Sequence, residues 1–365
     1  MDSAEQLAWI RLLRTPNIGP MTFGLLLRRY GSAREALRAI PDLAKRGGRK
    51  LTPASVQEAE AELAANHAAG AQLIFKNSEA YPERLGQFDD APPFLSVRGN
   101  LHLLHQPMIA IVGARNASIN AMQLADHLAG QLSEAGYLVV SGMARGIDTA
   151  AHNGALAHGT MAILASGVDI IYPPENADLY ESLCDVGVVA AEMPPGTAPT
   201  PRLFPVRNRI IASLSLGVVV IEAAARSGSL ITAREATERG SEVMAIPGSP
   251  LDPRSEGCNM LIRDGATLVQ NKDDIIEAIS GRPRVTMPPP PVLPALPTTP
   301  ADEEAVARTR EIIDAALSAE PTNIDEILRW HDASPATMQA TLLELELAGK
   351  LLRHHGNRVS KRFAP

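Results

Sequence analysis

Cysteine is almost absent: the 365 residues include two, Cys184 and Cys258, in unrelated contexts. No CxxC or Cys/His spacing occurs, so a zinc site is not expected and a reducing compartment fits. The opening stretch "MDSAEQLAWIRLLRTP" lacks the apolar core of a signal peptide, and no apolar run reaches membrane-spanning length. We therefore expect a soluble cytoplasmic chain with no membrane partner. Positive charge is not in surplus, the formal net charge being −7. That excludes a generic polyanion binder and leaves a local basic patch on an acidic body as the form a nucleic-acid site must take. Aromatic residues make up 4% of the chain, so few nucleobases could be stacked.

What is present is an apolar fraction of 45%, ample for sizeable cores, in a length that fits two or three domains. Residues 1–70 read as short helices. "LAWIRLLRT" and "MTFGLLLRRYG" carry apolar residues at helical spacing around the tight turn "PNIGP". The pattern resembles helix-hairpin-helix and SAM-like modules, whose turn amides can hold a phosphate. A plain helical hairpin with a glycine turn is the simpler reading. From 71 an irregular connection has short apolar runs at 73–75 and 94–97. Expected strands follow at 108–113, 137–142, 160–165, 187–192, 217–222, 242–248 and 266–270, with helical segments between most of them. Their apolar runs are continuous rather than alternating, as in strands buried on both faces. This predicts an α/β fold over 71–281, an extended Rossmann-like, doubly wound, mostly parallel sheet. "RPRVTMPPPPVLPALPTTP" (282–300) reads as a stiff linker. Residues 301–365 predict helices at 302–319, 323–331 and 335–348 and a short hairpin, which together describe a winged helix.

In open parallel sheets ligands lie beyond the carboxyl ends of the strands. The loops "GARNAS" (113–118), "SGMARGIDTAAH" (141–152) and "AAARSGSLITA" (223–233) are therefore read together. Gly113, Gly142, Gly146 and Gly228 let backbone amides approach a ligand, with Ala114 among them, and helix N-termini add positive charge. Arg115, Arg145, Arg207, Arg209 and Arg226 belong to the same rim. Ser141, Ser227 and Ser229 have no histidine base beside them; with Thr232 they suit phosphate as hydrogen-bond donors. GxGxxG spacing is missing, no acidic residue follows the second strand to take a ribose, and there is no GxxxxGK[ST] loop. Neither a dinucleotide site nor ATP hydrolysis is indicated, and no cofactor or metal is expected. Asp148 and His152 lie four apart; a helix cap with a packed histidine is preferred to an acid/base pair. "FPVRNRIIASLS" (204–215) opens a helix with Pro205 and buries Ile210, Ile211 and Leu214. Asn208 and Arg209 begin it at its positive end. Arg209 and Arg202 read as free cations whose forks match phosphate. Arg207 either holds the ligand or pairs with Glu192 or Glu222. Phe204 is either a stacking platform or a core residue.

"YPERL", "IAIVGARNAS", "VVSGMARGIDTAAHNGAL", "GVDIIYPPEN", "FPVRNRIIASLS", "VVVIEAAARSGSLITAREATERG", "VMAIPG" and "GCNMLIRDGA" run in one order from about Tyr81 to Ile279. Together they resemble the DNA processing protein A (DprA/Smf) family. The resemblance implies a non-catalytic homodimer that binds single-stranded DNA, protects incoming strands and loads a RecA-type recombinase in natural transformation. It carries the DNA pocket over to Arg115, to Ser141, Gly142 and Arg145, and to Arg202 and Phe204. Ala114 stands where the family has a serine and Ser213 where it has a glycine, so a contact from position 114 must be backbone only. In the winged helix, Glu344 and Glu346 would repel phosphates, while Arg353, Arg358, Lys361 and Arg362 make the wing basic. An auxiliary role in protein contact or weak DNA contact follows. The alternative is an enzyme cleaving nucleotide N-glycosidic bonds, for which "RSGSLITAREA" offers a glycine loop and Glu235.

Overall fold

The computed structural model describes residues 1–48, 50–280, 303–331, 333–354 and 356–362. The proline-rich segment expected to be a linker lies outside them. The chain divides into two units, Glu62–Met287 and the combination of Met1–Ala61 with Pro288–Pro365. The four segments read from composition remain our proposed domain division; in space the first and last share one unit.

The chain opens with α1 (Ser3–Arg14), α2 (Pro20–Tyr30), α3 (Ala33–Arg46) and α4 (Val56–Ala68). Each start has a local cause. Asp2 accepts the Glu5 amide at 2.7 Å before α1, and Ser32 accepts the Glu35 amide at 3.2 Å before α3. Pro20, the last residue of "PNIGP", opens α2.

The second unit is built on a nine-stranded sheet. Its strands are β1 (Gln72–Phe75), β2 (Phe94–Gly99), β3 (Met108–Gly113), β4 (Leu138–Ser141), β5 (Thr160–Gly167), β6 (Val188–Met193), β7 (Gly217–Ile221), β8 (Glu242–Ala245) and β9 (Thr267–Leu268). The order is β1-β2-β6-β5-β4-β3-β7-β8-β9. β1 with β2 and β2 with β6 are antiparallel; the other pairs are parallel. The helices are α5 (Glu83–Gly86), α6 (Ile119–Glu134), α7 (Ile147–Ala155), α8 (Ala177–Val186), α9 (Leu203–Leu214), α10 (Ser229–Glu238), α11 (Glu256–Arg263) and α12 (Lys272–Ser280). One apolar core joins Ala110, Val140, Ile163 and Val218 to Ile210 and Leu214 of α9. Another joins Ile109, Val139 and Val219 to Leu128 of α6 and Ala151 of α7. Adjacent strand residues thus enter different cores, which is why the runs read as continuous.

The first unit resumes with α13 (Glu303–Ala316), β10 (Thr322–Asn323), α14 (Ile324–Trp330), α15 (Pro335–Leu347), β11 (Leu351–His354) and β12 (Arg358–Lys361). It is a winged helix with antiparallel order β10-β12-β11. α15 is buried along nearly its whole length from Met338 to Leu347. One side packs on Ile313, Ile327 and Val359. The other meets the N-terminal helices: Thr22 of α2 donates to Glu346 at 2.6 Å, and Asn17 donates to the Leu347 carbonyl at 3.2 Å. Glu344 pairs with Arg310 at 3.0 Å and lies 3.8 Å from Arg46. Burial raises the Glu344 carboxyl above its ordinary range, opposed by the Arg310 hydrogen bond. The acidity read as unfavourable to phosphate thus serves internal pairing.

Candidate nucleic-acid interface

The carboxyl ends of β3, β4 and β5 converge on a cavity of about 290 Å³ in the second unit. Arg115 and Asn116 follow β3, Gly142, Ala144 and Arg145 follow β4, and Leu164–Ser166 end β5. Tyr172, Pro173, Pro199 and Phe204 complete the wall. The Arg115 guanidinium lies 4.7 Å from the centroid of the half-buried Phe204 ring, a cation–π contact. Tyr172, 43% exposed, packs beside the same ring at 6.1 Å and a tilt of 57°. Cation and ring therefore form one element, and Phe204 is neither an open platform nor plain core.

The loop between β4 and α7 is pinned group by group. The Gly142 and Ala144 amides donate to one Asp148 oxygen at 3.1 and 3.3 Å. Asn176 donates to the Met143 carbonyl at 2.9 Å, and Thr149 to the Ala144 carbonyl at 2.7 Å. Met143 holds φ at 59°, a left-handed conformation that side chains rarely adopt, and these bonds determine it. Asp148 is therefore a loop pin rather than the cap of α7, whose cap residue Gly146 makes no side-chain bond. Burial raises its pKa, with Arg207 and the two amides opposing. His152 is packed as expected. Thr160 gives its one hydroxyl proton to the Val139 carbonyl at 2.7 Å, so Nδ1 of His152 must be the donor in the 2.9 Å contact with Thr160. Burial, and secondarily Arg207, takes the imidazole pKa down to about 3.

Arg207 lies beneath the loop. It is 6% exposed and donates from Nη1 to the Ile163 carbonyl at 2.8 Å, with its Cζ 5.9 Å from the Phe204 centroid. A Cβ on Gly142 would fall 1.7 Å from that Nη1, so only glycine fits. Burial takes the guanidinium pKa down to about 10, Asp148 raising it and Arg115 lowering it further. The ion-pair reading of this helix was right in kind but attached to the wrong arginine. Arg209 takes Glu192, at 2.5 and 2.6 Å, and also donates to the Asp90 carbonyl. Glu222 instead accepts from the Ser118 amide at 2.8 Å.

Of the residues expected at the site, Arg115, Gly142, Arg145 and Phe204 line the cavity. Arg202 is exposed at the start of α9. Arg209 is not the free cation expected, because its pair with Glu192 is largely buried. Ser141 is fully buried and donates to the Ile111 carbonyl at 2.6 Å, so its hydroxyl points into the sheet. Gly113 makes room for packing, since a Cβ there would lie 1.9 Å from the Ile221 carbonyl oxygen. The Ala114 carbonyl accepts the Ile147 amide at 3.2 Å, and Gly146 approaches that carbonyl closely with φ of 74°. Ser227, Gly228, Ser229 and Thr232 stand apart from the cavity lining. Ser227 and Ser229 bond each other at 2.7 Å, Thr232 is buried, and Asn208 reaches only to the Gly228 carbonyl at 3.5 Å. Ser213, the departure in α9, accepts from Arg239 at 2.7 Å and is structural. Missed altogether was the loop after β5: Tyr172, Pro173, Asn176 and Glu175, which pairs with Arg145. The same strand-end rule would have found it.

Among the described residues no helix is long and apolar enough to cross a membrane, and no cluster of His, Cys, Asp and Glu could hold a metal. Three family models match the chain: DNA recombination-mediator protein A over 72–280, the DprA-like N-terminal HHH domain over 3–65, and the DprA winged helix domain over 294–357. The N-terminal match favours the hairpin-module reading. Protein Smf of Escherichia coli is 38% identical over 301 residues, 80% of this chain and 78% of that one. The X-ray structure of DNA processing protein A from Streptococcus pneumoniae has a TM-score of 0.64 at 35% identity, covering 75% of this chain and 97% of that one. A Helicobacter pylori DNA processing protein A, described for its single-stranded DNA binding mode, has a TM-score of 0.53 at 28% identity, covering 58% and 98%. With the core and both flanking models matched in order, the chain belongs to the DNA recombination-mediator protein A family.

Proposed function

We propose that this chain binds single-stranded DNA at the cavity beyond β3, β4 and β5. We propose further that it protects incoming strands and delivers them to a RecA-type recombinase during natural transformation, acting as a cytoplasmic homodimer without covalent chemistry. The observation that carries the reading is the stacked pair of Arg115 and Phe204 beside a loop whose amides are pinned on Asp148. A flexible polyanion is held by cations that follow its backbone and rings that accept its bases, whatever their sequence. Arg115 supplies the charge, and Tyr172 is the ring in this group most open to a base. The single-stranded DNA binding described for the Helicobacter pylori relative supports the same choice. The N-glycosidic alternative is disfavoured because Glu235 is tied to Arg239, which also holds Asp90 at 2.5 Å.

Fluorescence anisotropy with oligothymidine and a matched duplex, at two salt concentrations, tests the binding. Arg115→Ala should weaken single-strand affinity across all sequences; equal affinity for both proteins would overturn the reading. Recombinase filament assembly on strands coated with a single-strand-binding protein tests the delivery step.

A further inference from the structure

Arg145 lines the cavity, and its side chain is 63% exposed, as a ligand-facing cation should be. Yet its guanidinium is engaged by Glu175, itself 48% exposed. Glu175 belongs to "YPPEN" (172–176), whose Tyr172 and Pro173 line the cavity and which has none of the glycine and serine of the phosphate loops. The neighbouring residues fix its position. Asn176 is 5% exposed and grips the Met143 carbonyl and the Thr149 hydroxyl, each at 2.9 Å, while Tyr172 packs on Phe204. The backbone on either side of Glu175 is thus anchored, and its carboxylate occupies the Arg145 fork where a phosphate would meet it.

We propose that Glu175 is a specificity-determining residue, an internal stand-in for phosphate that the DNA backbone must displace from Arg145. The proposal rests on the cavity being the single-strand site. An arginine already paired with a carboxylate brings no net charge to the strand. Its contact is therefore gained only by a backbone that can reach deep enough to trade places with Glu175. Weakly seated anions and rigid duplex are held off, while a flexible strand that also engages Arg115 is admitted.

The consequence is opposite in sign to that of most changes in a binding site. In the full chain, Glu175→Gln should tighten oligothymidine binding roughly two- to fivefold at low salt, the range expected for a half-exposed ion pair. The slope of log K against log salt should steepen by about 0.7, one more effective charge on a single strand. Glu175→Ala should do the same. Arg145→Ala should abolish the gain in the double variant. Glu134→Gln, at the far end of α6, should leave binding unchanged. Equal affinity and slope in wild type and Glu175→Gln would overturn the proposal while leaving the site intact. So would a gain that survives Arg145→Ala, since it would then come from general charge. Wild-type protein that fails to bind oligothymidine would overturn the site and this proposal together.

Discussion

At the scale of single residues, two glycines with the same apparent role make opposite predictions. Gly142 and Gly228 both follow parallel strands in small-residue loops. A methyl on Gly142 would strike the buried Arg207 guanidinium, which its bond to Ile163 prevents from yielding. Gly142→Ala should therefore destabilise the second unit by about 1–3 kcal/mol, as overpacking does. It should also weaken oligothymidine binding by about tenfold, or about 1.4 kcal/mol. Gly228 has φ of −62°, and a methyl there would meet nothing within 4 Å, so Gly228→Ala should leave both denaturation midpoint and affinity near wild type. Binding lost equally in both would show that the loops share the strand. His152 gives a pH test. Its folded pKa of about 3 lies below the ordinary 6.5, so the unfolded chain binds the extra proton. Stability is then full above pH 6.5 and falls as pH is lowered, by roughly 2–3 kcal/mol at pH 4.5. His152→Asn keeps a donor toward Thr160 but cannot titrate, and urea midpoints measured across that range should show a flatter decline.

At the scale of elements, strands were legible because burial on both faces writes a continuous apolar run, and β3 was read to its two ends, Met108–Gly113. The arginine assignments of α9 were not. Arg207 and Arg209 lie about 200° apart around the helix, and only the position of β6 decides which one meets Glu192. The loop after β5 was missed because "YPPEN" has none of the glycine and serine that mark phosphate loops. α15 hides a different fact: its glutamates look like a solvated face but are buried against the N-terminal helices. Glu346 holds Thr22 and also Arg353, at 3.3 Å, with both charged side chains less than 10% exposed. Glu346→Ala should cost the first unit about 3–5 kcal/mol, because it leaves a buried guanidinium uncompensated. Thr22→Val should cost about 1–3 kcal/mol. Both tryptophans, Trp9 and Trp330, belong to this unit, so fluorescence during urea denaturation reports on it directly. Unmoved transitions in both variants would mean the contact contributes nothing.

At the scale of the whole molecule, an acidic chain of net charge −7 is proposed to hold a polyanion. Long-range attraction cannot drive this, so affinity must come from local net charge at the cavity and from stacking. The number of effective charges follows from the pairing described above. Arg209 is spent on Glu192, Arg145 on Glu175, and Arg207 is buried beneath the loop. Arg115, in the cavity lining, and Arg202, two residues before Phe204 of that lining, remain exposed as cations; Arg226 is exposed too but lies after β7, outside the lining. Two effective charges on a single strand give a slope of log K against log salt of about −1.4 for each site. Five arginines acting together, as the sequence pattern first indicated, would give about −3.5. Titrating oligothymidine from low to moderate salt separates these values, and the steeper one would mean that all five arginines meet the strand at full charge. Stacking should persist at high salt, so residual affinity there should fall with Tyr172→Ala and be nearly insensitive to Arg115→Lys.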